Sequence, residues 1–186
     1  MDISRYLDRL GITAANLKPT HAFLDELIVA HHFHVPFENL DVYDFHRVPL
    51  LGVDNLFDKI VTRHRGGYCF EMNGLFFALL KELGFDIWPC LFRINPHGEW
   101  GPANHRGTIV RIDGQLHYVD VGMGGAMPPF ALPLEASATA SSEKRIGLSP
   151  WKMGNTCSDA SRVQCWKTAR PVNPARQRWA FSTPHP

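Results

Sequence analysis

The first part of the chain has the hydrophobic pattern of helices. Apolar side chains recur three or four positions apart at Ile3, Tyr6, Leu7 and Leu10, and the pattern stops at Gly11. This spacing places them on one face of a helix. The chain therefore begins with an amphipathic helix that buries one side.

The same periodicity predicts three further helices. One spans residues 22–32, and one follows an N-cap at Asp54. The third starts at Cys69, contains an apolar stretch at residues 75–80, and ends at Gly84. Glycine suits the left-handed conformation that commonly closes a helix.

After residue 84 the pattern changes to that of strands. Residues 87–94 predict one strand, and residues 107–112 are β-branched and roughly alternating. Asp113–Gly114 is a strong signal for a two-residue turn, and residues 116–121 read as the returning strand. The sequence thus predicts an antiparallel hairpin.

These elements predict an α+β fold in three parts. Residues 1–84 form a helical bundle that carries a nucleophile, and residues 85–140 form an antiparallel β-barrel-like domain. Residues 141–186 form a basic, atypical and poorly ordered tail, with eight Lys/Arg against two Asp/Glu from residue 143 onward. The active site is expected between the first two parts.

The hairpin register places two polar residues on one face. If Asp113 and Gly114 form the turn, residue numbers of paired positions add up to a constant, and His105 faces Gly122. Asp120 lies two residues away on that strand and on the same face, within side-chain reach of His105. A slip of one residue would separate them.

A cysteine nucleophile fits this pair. Gly66 and Gly67 allow a sharp turn before Cys69, and the start of a helix favours a thiolate. His105 would take the thiol proton, and Asp120 would orient the imidazole. The alternative is a buried cysteine, a satisfied histidine and a strand-end aspartate with no joint role.

Three segments resemble arylamine N-acetyltransferases. Residues 65–73 resemble the nucleophile motif of that family, residues 35–41 a second hallmark, and residues 118–124 its aspartate motif. The resemblance covers about residues 1–135. It implies transfer of acetyl from acetyl-CoA, as co-substrate, to an arylamine or arylhydrazine through a Cys69 thioester. O-acetylation of N-hydroxyarylamines is a related expectation. The third, α/β domain of the family is expected to be absent.

The resemblance also assigns roles to residues. Met123 departs from the family pattern, where phenylalanine is common, so acceptor preference stays open. Arg65 is expected to be structural, with Glu38 and Asn39 as partners, rather than a contact for CoA phosphate. The expected catalytic residues are Cys69, His105 and Asp120, and the expected substrate-binding residues are Phe37, Tyr68, Asn104, Met123 and Phe130.

Other functions share some of these features. A transglutaminase-like cysteine hydrolase would use the same three residues in the same order. An inactive remnant could serve as an interaction module. The basic tail alone suggests nucleic-acid binding, which the rest of the chain does not favour. Three explanations compete for the tail: a shortened or frame-disrupted reading frame, a divergent end that completes the barrel, and a basic arm. The first is favoured, because Trp151, Trp166 and Trp179 are scattered among polar residues, unlike a strand or a typical basic arm.

Composition bears on the compartment, on metal binding and on the partners of the protein. The net charge is +1, and the chain holds four cysteines without framework spacing. A thiol nucleophile and the lack of a signal or spanning segment predict a cytoplasmic protein with no membrane partner. His31, His32 and His34 lack the ligand spacing of a metal site, so no metal is expected. An exposed sheet edge would allow homo-oligomers.

Overall fold

The fold joins a helical half to an antiparallel sheet. The computed structural model of the protein describes residues 1–13, 17–94, 102–125, 128–134 and 163–166. The helices are α1 (Ile3–Arg9), α2 (His21–His34), α3 (Leu40–Tyr43), α4 (Val53–Phe57), a π-helical turn (Asp58–Thr62) and α5 (Cys69–Glu82). The strands are β1 (Asp86–Ile94), β2 (His105–Ile112), β3 (Gln115–Val119), β4 (Leu132–Pro133) and β5 (Val163–Trp166).

The first two helices confirm the predictions from periodicity. In α1 the side chain of Asp2 accepts a hydrogen bond from the Arg5 backbone, and Gly11 follows the helix with a φ of +69°. In α2 the side chain of Thr20 accepts from the Phe23 backbone. Each helix therefore begins at a side chain that satisfies one of its free N–H groups.

The third predicted helix differs from the expectation. Its N-cap is Gly52, not Asp54, which lies in the first turn of α4. An aspartate is favourable both at the N-cap and in the first turn, because the N-terminal end of a helix is positive. The sequence pattern therefore cannot tell which of the two positions Asp54 occupies. The helix then continues as a π-helical turn, in which Lys59, Ile60 and Val61 are buried.

Helix α5 is the centre of the core. Leu75, Phe76, Leu79 and Leu80 are fully buried, and they pack in one cluster with side chains of α1, α2, α4, the π-helical turn, β2 and β3. The helix ends as predicted, because Gly84 adopts a φ of +82° just beyond it. This packing fixes the start of α5, where Cys69 lies.

The hairpin register is confirmed. Ile112 pairs with Gln115 and Thr108 with Val119, and the turn residues Asp113 and Gly114 both have positive φ. A turn of this kind follows the right-handed twist of the strands. The observed register is therefore the one that places His105 and Asp120 on the same face of the sheet.

The barrel-like expectation is wrong for the described strands. They form one open antiparallel sheet in the order β4–β3–β2–β1–β5. Closure would require the two edge strands to pair with each other, and β4 has only two residues. Strand β5 pairs with β1 and falls within residues 141–186, whose other positions lie outside the described residues.

No helix in the described ranges has the length and apolar character needed to cross a bilayer. The division into domains at residues 84 and 140 stays a prediction.

Candidate active site

Cys69 is the first residue of α5, as the sequence predicts. It is half-buried, and its thiol is the free one among the cysteines whose side chains are described, because Cys90 is disulfide-bonded. The Cys69 sulfur lies 4.0 Å from the backbone oxygen of Asn104, just before β2. The nucleophile candidate therefore sits where the helix meets the sheet.

The two glycines before Cys69 serve close packing rather than a special turn. A Cβ on Gly66 would lie 1.8 Å from the Pro36 oxygen, and a Cβ on Gly67 would lie 2.9 Å from Cβ of Glu71. Neither glycine has positive φ. Gly67 also forms a parallel bridge with Phe37. The glycines thus allow the segment after α2 to lie directly against residues 66–68, the turn before Cys69 that we call the nucleophile turn.

His105 and Asp120 meet as the hairpin register predicts. Nε2 of His105 lies 2.5 Å from Oδ2 of Asp120, and both side chains are almost fully buried. The His105 ring also hydrogen-bonds with the Cys69 thiol. The structure therefore brings the three residues together in the order thiol, imidazole, carboxylate.

Two side chains that the sequence did not single out complete the site. Tyr118 donates its hydroxyl to Oδ2 of Asp120 at 2.5 Å, and Asn73 donates its amide to Oδ1 at 2.8 Å. The backbone N–H of Gly122 donates to Oδ1 at 2.9 Å. Tyr118 and Asn73 both lie inside the motifs of the resemblance, which was the signal that could have found them.

This environment sets the charges of the pair. Burial alone would lower the pKa of His105, but hydrogen bonds with Asp120 and Cys69 outweigh it and raise that pKa to about 9. Burial would raise the pKa of Asp120, but the hydrogen bonds from His105, Tyr118 and Asn73 hold it below its usual value. At neutral pH the pair is an imidazolium and a carboxylate.

A cavity of about 330 Å³ adjoins these residues. Its lining does not include Cys69, His105 or Asp120 themselves, but it includes Met72, one turn after Cys69 in α5, and Val121, which follows Asp120. Phe37 and Met123, two predicted substrate-binding residues, both line it. The lining residues are His32, Val35, Pro36, Phe37, Met72, Val121, Met123, Gly124 and Gly125.

The other three predicted substrate-binding residues lie elsewhere. Tyr68 precedes α5, and its ring packs against Phe70 at 5.7 Å between centroids. Asn104 lies beside the Cys69 sulfur. Phe130 is 47% exposed and is not among the described residues that line the cavity. Tyr68 and Asn104 flank the nucleophile, whereas Phe130 does not reach the described pocket.

The structural role expected of Arg65 has one correct and one incorrect partner. Its guanidinium donates to Glu38 at 2.8 Å and to Asp41 at 2.9 Å. Asn39 is not a partner of Arg65 in the described contacts; it is the N-cap residue of α3. The sequence missed Asp41 because a carboxylate one helical turn beyond Glu38 gives no local signal.

The histidines at the end of α2 have local partners. His31 is fully buried and shares a hydrogen bond with the Tyr6 hydroxyl at 3.0 Å, and burial lowers its pKa to about 3. His34 bonds to the Ala30 oxygen at 2.9 Å. Across the described ranges, no three His, Cys, Asp or Glu side chains are grouped as a metal ion would require.

Comparison with known proteins extends the resemblance along the chain. The sequence model of the N-acetyltransferase family matches residues 20–181. The match reaches beyond residue 135, and the assignment of residues 141–186 as an atypical tail stays a prediction. Short segments such as β5 carry too few residues for periodicity to reveal them.

Individual relatives agree with this match. The arylamine N-acetyltransferase of Mycobacterium tuberculosis H37Rv is 37% identical, over 74% of this chain and 50% of the relative. The solved arylamine N-acetyltransferase of Salmonella typhimurium is 34% identical with a TM-score of 0.69, over 75% and 51%. That of Mycobacterium marinum, solved in complex with CoA, is 35% identical with a TM-score of 0.67, over 76% and 54%.

The chain thus spans about half the length of the curated relatives that it matches. The family match covers most of the chain and includes Cys69, His105 and Asp120 together with the cavity beside them. The chain belongs to the N-acetyltransferase family.

Proposed function

We propose that this chain transfers acetyl from acetyl-CoA to an arylamine or arylhydrazine through a thioester on Cys69. The observation that carries the proposal is the contact of Cys69, His105 and Asp120 beside a cavity lined by Phe37 and Met123. The relatives' names supply the substrate class.

In the first half-reaction the Cys69 sulfur attacks the thioester carbonyl of acetyl-CoA. The bond between the acetyl carbon and the CoA sulfur breaks, and CoA leaves as a thiol with a proton supplied by His105. A protonated imidazole beside a cysteine favours the nucleophilic thiolate. Backbone N–H groups at the start of α5 are the proposed donors to the oxyanion.

In the second half-reaction the amine nitrogen attacks the acetyl carbon on Cys69. The carbon–sulfur bond breaks, the sulfur returns to its starting state, and the proton of the amine passes to His105. Asp120 keeps the imidazole oriented in both steps. O-acetylation of an N-hydroxyarylamine would follow the same course with oxygen as nucleophile.

The cavity supports an aromatic acceptor. Its lining combines the Phe37 ring with the thioethers of Met72 and Met123, and such surfaces suit a flat aryl group. Tyr68 and Asn104, which flank Cys69, complete the proposed acceptor-binding set, and a role for Phe130 rests on the resemblance alone. We propose that the nucleophile turn is supported by Arg65 with its partners Glu38 and Asp41, and by Asn39 at the start of α3.

The test is intact-mass spectrometry after brief incubation with acetyl-CoA. We expect one acetyl group on the wild-type chain and none on Cys69→Ser. Addition of aniline or phenylhydrazine should discharge the acetyl-enzyme and yield the N-acetyl product. Loss of the acetyl group to water at the same rate without acceptor would favour the cysteine hydrolase.

A folded chain that never gains the acetyl group would contradict the proposal. It would instead support the inactive remnant as an interaction module. Circular dichroism on the same sample shows that the chain is folded, so the two outcomes are distinct.

A further inference from the structure

Lys59 is a buried cation surrounded by three carboxylates. Its Nζ lies 2.6 Å from Asp41, 2.8 Å from Glu71 and 3.4 Å from Glu38, and its side chain is only 6% exposed. Burial alone would lower the pKa of Lys59, but the hydrogen bonds to Asp41 and Glu71 outweigh it and raise that pKa. The side chain is therefore charged, and its charge is matched within the protein.

Lys59 lies in the π-helical turn, and its side chain is buried there. The turn spans Asp58–Thr62 and follows α4 without a break, and Ile60 and Val61 beside Lys59 are also buried. The turn therefore holds three consecutive side chains in the interior. Such turns occur frequently at functional sites.

Glu71 connects Lys59 to the nucleophile. One carboxylate oxygen of Glu71 accepts from Lys59 at 2.8 Å, and the other accepts from the Tyr68 backbone N–H at 3.1 Å. Tyr68 is the residue directly before Cys69. The absence of a side chain on Gly67 lets Glu71 fold back in this way, since a Cβ there would lie 2.9 Å from it.

The two cations of the cluster are not equivalent. Arg65 pairs with Glu38 and Asp41, whereas the contact of Glu71 with a cation, among the described residues, comes from Lys59. Removal of Lys59 would leave the Glu71 carboxylate buried without a counter-charge beside the first turn of α5. Arg65 cannot replace it there without leaving its own partners.

We propose that Lys59 is a positioning residue, which sets the geometry of the Cys69 turn through Glu71. The inference deepens the proposed function and rests on it for its catalytic meaning. The placement of the sulfur against His105 depends on this link, because α5 begins at the residue that follows the Glu71-bonded N–H. Small displacements of reacting groups are known to slow reactions strongly.

The test measures alkylation of Cys69 by iodoacetamide, which needs neither acetyl-CoA nor an acceptor. We expect Lys59→Met to slow alkylation at neutral pH by about tenfold, and to change its pH profile, because the sulfur no longer meets His105 correctly. Lys59→Arg should restore most of the rate. The matched control is Arg63→Met, which removes an exposed cation whose partner is Asp58.

A double substitution isolates the route through Glu71. Glu71→Gln keeps an oxygen that accepts from the Tyr68 N–H, but it removes the negative charge. If Lys59 acts through Glu71, adding Lys59→Met to Glu71→Gln should slow alkylation by less than about twofold. Each variant is assayed well below its own melting temperature. If Lys59→Met does not fold, Glu71→Gln alone carries the test: a slower rate supports the proposal, and an unchanged rate overturns it.

Two further outcomes separate the role of Lys59 from fold stability and from the proposed function. Lys59→Met with a lower melting temperature but an unchanged alkylation rate and pH profile would mean that Lys59 only stabilises the fold, and the proposal would be wrong. A wild-type chain that alkylates as expected but never forms an acetyl-enzyme would contradict the proposed function and leave the Lys59 test intact.

Discussion

Asp120 shows how one residue can be held in a single protonation state inside the protein. Its two oxygens accept four hydrogen bonds, from His105, Tyr118, Asn73 and the Gly122 backbone. Four donors around one buried carboxylate favour the anion strongly enough to overcome desolvation. The anion in turn keeps the proton on His105.

Replacing this carboxylate should therefore act through the imidazole. In Asp120→Asn we expect the pKa of His105 to fall from about 9, because the Asp120 carboxylate is lost and only Cys69 is left to oppose the effect of burial. The measurement is an NMR titration of the His105 ring. Alkylation of Cys69 at neutral pH should slow by about 10²-fold or more, as when a triad aspartate is lost.

Tyr118→Phe is the matched control, because it removes one donor and leaves the carboxylate. It should change the pKa of His105 far less than Asp120→Asn does. An unchanged His105 titration in Asp120→Asn would contradict the account of the pair.

At the scale of elements, the nucleophile turn depends on how closely two backbones approach. The segment after α2 reaches the turn through the bridge between Phe37 and Gly67, and the Glu38 N–H donates to the Gly67 oxygen at 3.0 Å. Gly66 allows this contact because a side chain would overlap the Pro36 oxygen.

Gly66→Ala should consequently destabilise the chain. A Cβ 1.8 Å from the Pro36 oxygen forces the two segments apart, and overpacking of this kind costs about 1–3 kcal/mol or more. The measurement is the free energy of unfolding in urea. Gly125→Ala is the control, since a Cβ there meets nothing within 4 Å, and equal stability of the two variants would contradict the prediction.

The sequence predicted correctly those elements that a short stretch of neighbouring residues determines. The Asp113–Gly114 turn fixed the register, and the register alone placed His105 and Asp120 together. The contact of Lys59 with Glu71 escaped prediction, because an amphipathic pattern gives no sign of a π-helical turn. The open form of the sheet also escaped prediction, since closure into a barrel depends on how distant edge strands meet.

At the scale of the whole molecule, two buried histidines shape the response to pH in opposite directions. His31 has a folded pKa of about 3, so its contribution to stability is present above pH 6.5 and is lost as the pH falls. His105 has a folded pKa of about 9, so its contribution is present below pH 6.5 and is lost as the pH rises through 9. Stability should therefore be greatest near pH 6.5.

A single substitution tests the acidic side of this profile. His31→Gln can still bond to the Tyr6 hydroxyl but does not titrate. Between pH 6.5 and about pH 4.5 the wild type should lose about 2–3 kcal/mol more unfolding free energy than the variant does. Urea unfolding at several pH values measures this, and parallel profiles for the two chains would contradict it.

The bond between Asn73 and Asp120 joins residues 47 positions apart in the chain. Helix α5 can form early from local contacts, but this bond exists only after the long intervening loop has closed and the hairpin has docked. During refolding, the distinctive reactivity of the Cys69 thiol should consequently appear after most of the helical signal has returned. Stopped-flow measurement of the reactivity of this thiol would therefore give the rate at which the hairpin docks onto the helical half.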